Sequence, residues 1–246
     1  MGSSSKWSVP WFRIVTEGVV IVFSILLAFG IDAWWGERQL QQDLRDDLSD
    51  VAREIRSNIS AVDVELRFQR TAVSSVDDLL GRIEAAGISR WITLPDTIAS
   101  FALVFPPTLD ASTGAVSALI AGGSLSRVED RQLVAILGDL EATLEDVRET
   151  ELGARRIAME ELVPLFWEAP GLASAFGRSG EYRLRGLEDV PLAHRAVRLP
   201  NVAGLKNRLL LRRAWVAASV ESLEQLKAEL ARAEELLSEV EATEDG

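Results

Sequence analysis

The chain has 246 residues, a formal net charge of −12 at neutral pH and no cysteine. This length suffices for one sizeable domain with its own hydrophobic core. So acidic a surface repels phosphate backbones and disfavours nucleic acid as a partner. The lack of cysteine excludes disulfides, thiolate nucleophiles and cysteine-ligated metals.

The first predicted element is a transmembrane helix over residues 11–35, which follows an N-terminal tail over 1–10. As a helix, this segment is long enough to cross the roughly 30 Å hydrocarbon layer of a bilayer. Its interface anchors are expected to be Trp11 and Arg13 at one end and Trp34 and Trp35 at the other. Aromatic and basic side chains are typical of these lipid–water boundaries.

Two further questions concern this segment. The strictly apolar stretch 18–31 would also suit the core of a cleaved signal peptide. We expect retention, because the apolar helical pattern continues past Trp35 without a break. The basic residues Lys6 and Arg13 precede the span, so the positive-inside rule favours an extracytoplasmic position for the rest of the chain.

The helix is predicted to continue beyond the membrane over about 36–87. Apolar residues keep a three/four spacing through most of this stretch, and no proline interrupts it. A helix from Gly36 to Gly87 would extend for about 75 Å. Gly87 is the expected C-cap.

The remainder of the predicted domain, 36–241, alternates short and long helices. Asp96 is expected to cap the first short helix, and the capping-box spacing of Ser126 and Glu129 is expected to open the second long one, with Pro164 kinking or ending it. No strand is predicted. The predicted elements after residue 87 are short helices at about 96–104 and 111–121, long helices at about 128–167 and 202–240, an irregular connection over 169–200, and an acidic tail over 242–246.

These elements predict an all-α fold, in which one N-terminal transmembrane helix continues into an elongated antiparallel helical bundle. The last helix carries an apolar stripe of Val216, Leu223, Leu226, Leu230, Leu237 and Val240. We expect this stripe to pack against the helix over 36–87, with an intermolecular coiled-coil seam as the alternative.

The stretch from Glu17 to Arg38, Glu-Gly-Val-Val-Ile-Val-Phe-Ser-Ile-Leu-Leu-Ala-Phe-Gly-Ile-Asp-Ala-Trp-Trp-Gly-Glu-Arg, resembles a family of bacterial single-span membrane proteins of unknown function. That family has a Glu, a valine/isoleucine run, a small residue, Ile-Leu-Ile-Ala-Leu, Ile-Asn, Trp and Glu-x-Arg, followed by a helical domain. Residues 115–125 are similar to its leucine–small–glycine–leucine turn. This chain departs from the pattern at Ser24, where Gly is usual, and at Asp32, where Asn is usual. The resemblance implies a single-pass protein of a bacterial inner (cytoplasmic) membrane and implies no activity.

The candidate membrane-contact residues are Glu17, Ser24, Ala28 and Asp32, which share one face of the span. Small and polar residues on one face let membrane helices approach closely, so we expect a helix–helix contact there. A simpler interpretation also stands. Glu17 pairs with Arg13, four residues earlier, at the interface, Asp32 marks the membrane exit, and any span of this length contains some such face.

No catalytic residue, metal ligand or cofactor-binding residue is expected. The single histidine, His194, has no partner at ligand or triad spacing. The acidic runs over 43–50 and 234–244 lack a calcium-loop pattern and are expected to be solvated helix faces. Paired carboxylates inside a bundle are the enzymatic arrangement that this sequence leaves open.

The sequence therefore predicts a membrane-anchored, non-enzymatic helical scaffold or accessory subunit that works by protein–protein contact. Its expected partners are the lipid bilayer and either a membrane protein or a second copy of itself. The alternative is an extracytoplasmic sensory or small-ligand-binding module. That module would need a pocket near the insert over 88–127, lined by Trp91, Phe101, Phe105 and Tyr182.

Overall fold

The computed structural model describes residues 11–87, 89–104, 108–167, 169 and 196–244. It is mostly helical (84%), with one long N-terminal apolar helix and a helical region. The chain divides into two compact units, Met1–Ser49 and Asp50–Gly246.

Helix α1 spans Trp11–Ala86, 76 residues. It is followed by Gly87, whose φ of +52° lies in the left-handed region that glycine adopts without strain. Within its apolar part, an 18-residue window reaches a mean hydropathy of 2.0 and none of that window is buried.

The elements after α1 are shorter and more varied. In chain order they are strand β1 (Trp91–Pro95), helix α2 (Asp96–Ala99) with a π-helical turn (Ser100–Val104), helix α3 (Gly114–Ala121), a 3₁₀ turn (Ser124–Arg127), helix α4 (Arg131–Arg156) continued by a π-helical segment (Ile157–Leu162) and a 3₁₀ turn (Val163–Phe166), strand β2 (Ala196–Pro200), and helix α5 (Leu205–Glu244).

The two strands correct the strand-free prediction. β1 and β2 pair antiparallel, with Trp91 opposite Pro200 and Pro95 opposite Ala196. Both alternate exposed and buried residues, so that one face of the ribbon joins the core. The partners lie about 100 residues apart, and two five-residue runs of this kind carry too little local signal to predict a pairing.

Two predicted helix caps are also wrong. Asp130, not the box at Ser126 and Glu129, caps α4, because its side chain accepts a hydrogen bond from the Leu133 amide at 2.8 Å. Asp96 is the first residue of α2 rather than its cap. Pro164 lies in the 3₁₀ turn that follows α4. α5 continues to Glu244, beyond the expected end at 240.

In the second unit, α5 runs antiparallel to the 50–86 part of α1, as four ion pairs between the two helices establish. On α1 the partners recur every seven residues. The pairs are Asp63–Lys227, Arg70–Glu224, Asp77–Arg213 and Glu84–Lys206. α4 also runs antiparallel to α5, with Arg232 bonded to Gln132 and Arg208 to Glu161.

A buried apolar cluster lies at the ribbon end of the second unit. It joins the end of α1, the inner face of the ribbon, the region around α2, the end of α4 and the start of α5. Its members are Val76, Leu79, Ile92, Leu94, Ala99, Ala102, Leu103, Ile157, Leu162, Val163, Phe166, Val197, Leu199, Leu205 and Leu209. Burial of this surface is the main force that holds the short elements against the long helices.

Candidate functional site

The predicted membrane-contact face lies on the first unit, and none of its four residues is covered by another part of that unit. Glu17, Ser24, Ala28 and Asp32 are all exposed. The Ser24 hydroxyl donates to the Val20 carbonyl, 2.8 Å away and one turn earlier, so its polar group is already satisfied within the helix. Ser24 can therefore face an apolar medium or a neighbouring helix.

The predicted anchors occupy both ends of the apolar stretch. Trp34 and Trp35 are exposed, with their ring centroids 6.2 Å apart. The guanidinium of Arg38 stacks on the Trp34 ring at 5.5 Å from its centroid. Trp11 and Arg13 lie in α1, and their side chains lie outside the described part of the chain.

A polar layer lies inside the helical region of the second unit. Ala72, Ala154 and Val216 pack together, one from each long helix. One turn away, the same register brings Gln69, Glu151 and Ser219 to a common level. These three side chains are 1%, 2% and 0% exposed, respectively. The Ser219 hydroxyl has no hydrogen-bond partner among the described residues.

Glu65 adds a second carboxyl group to this layer. It is 4% exposed, and its Oε1 accepts a hydrogen bond from the Gln69 amide at 2.7 Å. Burial raises the pKa of Glu65 to about 7, and the Gln69 hydrogen bond opposes this rise. A carboxyl group this deeply buried is rare in a helical interior.

Glu151 binds the backbone of the segment 108–113. Its two carboxylate oxygens accept from the Leu109 amide at 3.0 and 3.1 Å. Burial, and after it the negative charge of Glu65, raise the pKa of Glu151 to about 8, although the Leu109 hydrogen bond and the Arg148 charge act to lower it. The two carboxyl groups therefore affect one another's ionisation.

Two side chains of α1 hold the next residues of the same segment. Asn58 forms a two-way contact with Ser112, since its amide nitrogen donates to the Ser112 carbonyl at 2.7 Å and its oxygen accepts from the Ser112 amide at 3.0 Å. Glu54 accepts from the amides of Ala115 and Val116 at 3.0 and 3.2 Å. Glu54 thus caps the N-terminus of α3 from another helix. Its negative charge also interacts favourably with the positive end of the α3 helix dipole.

A small cleft opens above Glu151, between α4 and the segment 108–113. Its volume is about 130 Å³, which is smaller than the roughly 300–1,000 Å³ of typical small-molecule sites. Its lining residues are Leu109, Ala111, Thr113, Glu141, Leu144, Glu145, Val147, Arg148 and Glu151. The cleft has room for a few water molecules and leads solvent close to the buried carboxyl group.

The aromatic residues expected to line a ligand pocket take part in other contacts. Trp91 stacks against Arg198, whose guanidinium lies 4.8 Å from the ring centroid. Phe101 stacks on Phe68, with the ring centroids 6.1 Å apart. Phe105 and Tyr182, together with His194, lie outside the described residues.

Arg212 is a fully buried cation in the same region. Its guanidinium donates to the carbonyls of Ala102, Ala154 and Phe101 at 2.6, 3.1 and 3.1 Å. These carbonyls lie where α2 and α4 pass into π-helical turns, and helix ends leave such groups without intrahelical partners. Burial lowers the pKa of Arg212 to about 10, which still leaves it charged at neutral pH.

The sequence alone did not single out Glu65, Gln69 and Glu151, because the helical spacing was followed through apolar residues only. A signal for them does exist. Glu65 and Gln69 lie in phase with Val62, Ala72 and Val76, and Glu151 lies in phase with Val147 and Ala154, all of which are buried. Helical periodicity that counts position rather than polarity would have placed them inside.

Within the described residues, no group of three or more His, Cys, Asp or Glu side chains could hold a metal ion. No family model, curated protein or solved structure matches this chain.

Proposed function

We propose that this chain is a single-pass membrane protein of a bacterial inner membrane whose helical region forms an antiparallel bundle on the extracytoplasmic side. It acts as a non-enzymatic scaffold or accessory subunit, through contacts with a membrane protein partner or with a second copy of itself. The observation that carries this proposal is the fully exposed apolar part of α1, with its mean hydropathy of 2.0. An exposed surface of this kind requires lipid or protein around it.

The arrangement of the helical region supports a binding role over a catalytic one. The cleft at Glu151 is small, and both oxygens of that carboxylate already bind the chain's own backbone. A carboxylate engaged in this way is not free to act on a substrate. The same cleft size weighs against the alternative, a sensor of a drug-sized ligand.

Membrane attachment is tested by alkaline carbonate extraction of membranes from cells that express the full chain. We expect the chain to remain in the membrane pellet, with an intact mass that includes residues 1–35. A soluble chain that has lost these residues would identify the segment as a signal sequence and overturn the anchor.

The scaffold role is tested by mild detergent extraction, followed by a mass measurement in solution and identification of co-purifying proteins. We expect a complex of fixed stoichiometry, or a homo-oligomer. A lone monomer would contradict the proposal.

Ala28→Leu tests the contact face, because it adds bulk among Glu17, Ser24 and Asp32 and should weaken the complex at least tenfold. Val19→Leu is the matched control, since it adds bulk on the opposite, equally exposed face of the same helix. Equal effects of the two changes would exclude this face as the contact.

A further inference from the structure

The segment 108–113 covers the buried carboxyl groups and is bound to one of them, Glu151, through the Leu109 amide. The segment 108–113 forms one wall of the cleft, α4 forms the other, and Glu151 lines the space between them. The attachment of this segment nearest to Glu151 is the Leu109 amide. If the segment lifts away at Leu109, water reaches Glu151.

We propose that Glu65 and Glu151 form a proton-linked latch, which holds the residue 108–111 end of the segment closed while the pair carries a proton and loosens it when both carboxyl groups ionise. Two negative charges in a dry interior repel one another and lose their hydration. Ionisation strengthens the Leu109 hydrogen bond, which lowers the pKa of Glu151, but burial and the charge of Glu65 have the larger effect. Opening at Leu109 relieves both costs, because it hydrates Glu151. The latch does not depend on the membrane attachment proposed above.

The surrounding charges do not neutralise the pair. On α4, Arg148 faces Glu151 but also forms an ion pair with Glu145 at 2.8 Å. On α5, Ser219 is the uncharged residue at this level, and Glu224 pairs with Arg70 on the surface. Further carboxyl groups lie at Glu54 on α1, Glu141 on α4 and Asp110 on the segment. Arg212, the buried cation of α5, donates to the backbone carbonyls of Ala102, Ala154 and Phe101.

The direction of the pH effect follows from linkage. Glu65 and Glu151 have pKa values of about 7 and about 8 in the closed form, whereas a solvated glutamate has an ordinary pKa near 4.3. The closed form therefore binds protons more tightly than the open form. Closure is strongest when the pH lies below the ordinary pKa of glutamate. It weakens as the pH rises from there through about 7 and 8, and it is constant at higher pH.

The Leu109 end should respond to pH, and the Ser112 end should not respond in the same way. The Ser112 backbone is bound by the uncharged amide of Asn58, and the Ser112 hydroxyl donates to Glu54 at 2.7 Å. The amides of Ala115 and Val116 are bound by Glu54, which lies on another part of α1. The Ser112, Ala115 and Val116 amides are therefore internal controls for unfolding of the whole segment.

The test is hydrogen exchange of the full chain in lipid nanodiscs, read at single residues by electron-transfer fragmentation and corrected for the intrinsic pH dependence of exchange. We expect the protection of Leu109 to fall at least tenfold between pH 5 and pH 8.5, with less than a threefold change at Ser112. A change below threefold at Leu109, or an equal fall at Ser112 and Leu109, would overturn the latch.

Glu151→Gln keeps an oxygen that can accept from Leu109 but removes the ionisation, so Leu109 protection should become flat with pH. Glu149→Gln is the matched control, because it changes an exposed carboxyl group of the same helix that does not line the cleft, and it should keep the wild-type pH profile. A Glu151→Gln profile that falls as the wild type does would contradict the latch. Should this variant fail to fold by circular dichroism, Glu65→Gln replaces it. In Glu65→Gln, we expect the fall of Leu109 protection between pH 5 and pH 8.5 to be at least threefold smaller than in the wild type. An unchanged fall would overturn the proposal.

Discussion

Gly153 and Trp215 show how one missing side chain lets two helices meet. A Cβ atom on Gly153 would lie 2.6 Å from Cζ3 and 2.7 Å from Cδ2 of the Trp215 ring. Real Cβ atoms do not approach other atoms this closely, so the indole packs directly over the α4 backbone. The glycine is required here for space and not for backbone conformation.

We expect Gly153→Ala to destabilise the chain by about 1–3 kcal/mol, because the methyl group must displace the indole from its position. Gly138→Ala is the matched control on the same helix, where no atom lies within 4 Å of the added methyl group. It should stabilise by about 0.5–1 kcal/mol through helix propensity. Chemical denaturation of both variants measures the difference, and a shift of the same sign in both would contradict this packing.

Arg212 shows how an interior charge can serve the backbone. Its guanidinium satisfies three carbonyls near the ends of two helices, where the negative ends of the helix dipoles also favour a cation. Its neighbour Arg213 instead forms an ion pair with Asp77. Adjacent residues of one type therefore have different roles, which depend on the face of α5 that each occupies.

We expect Arg212→Met to cost about 3 kcal/mol or more, because the three buried carbonyls lose their donors. Arg212→Lys should recover only part of this loss, since an ammonium group lacks the planar fork of a guanidinium. Arg213→Met is the control and should cause a much smaller loss. Thermal unfolding of the three variants provides the comparison, and equal losses at positions 212 and 213 would rule out the proposed role.

At the scale of elements, four ion pairs outside the buried core join α1 to α5. The α1 partners of Lys227, Glu224, Arg213 and Lys206 lie seven residues apart. A seven-residue repeat keeps the same face toward a neighbouring helix. Pairs of this kind add little stability singly but penalise a shifted register, which would bring like charges together.

The Asp63–Lys227 pair, with 41% of each side chain exposed, is suited to a double-mutant cycle. We expect Asp63→Asn and Lys227→Met to show a coupling energy of about 0.2–1 kcal/mol that falls as salt is added. Urea denaturation at low and high NaCl measures this coupling energy. A coupling energy above about 2 kcal/mol, or one insensitive to salt, would contradict a partly solvated pair.

At the scale of the whole molecule, the chain lacks cysteine, so single-cysteine variants can report its membrane orientation without background. We expect Ser238→Cys, at an exposed site on α5, to react with a membrane-impermeant maleimide in intact spheroplasts. Ser5→Cys in the N-terminal tail should react only after permeabilisation. The reverse pattern would place the helical region in the cytoplasm and contradict the positive-inside prediction.

The sequence by itself determined the features that depend on local pattern. The apolar helix near the N-terminus, the three/four stripe that continues α1 to Gly87 and the predominantly helical content all follow from spacing along the chain. On α4, the apolar residues Leu133, Leu137 and Leu140 follow the same spacing and are buried. Contacts between neighbouring turns suffice to produce such features.

Only the tertiary structure decided which residues far apart in sequence meet. The pairing of β1 with β2, the capping of α3 by Glu54, the approach of Trp215 to Gly153 and the burial of Glu65 beside Glu151 each join different elements. Polar residues in particular change role with context, because burial with a partner and exposure to water are close in free energy. That balance depends on the arrangement of helices, which no single segment encodes.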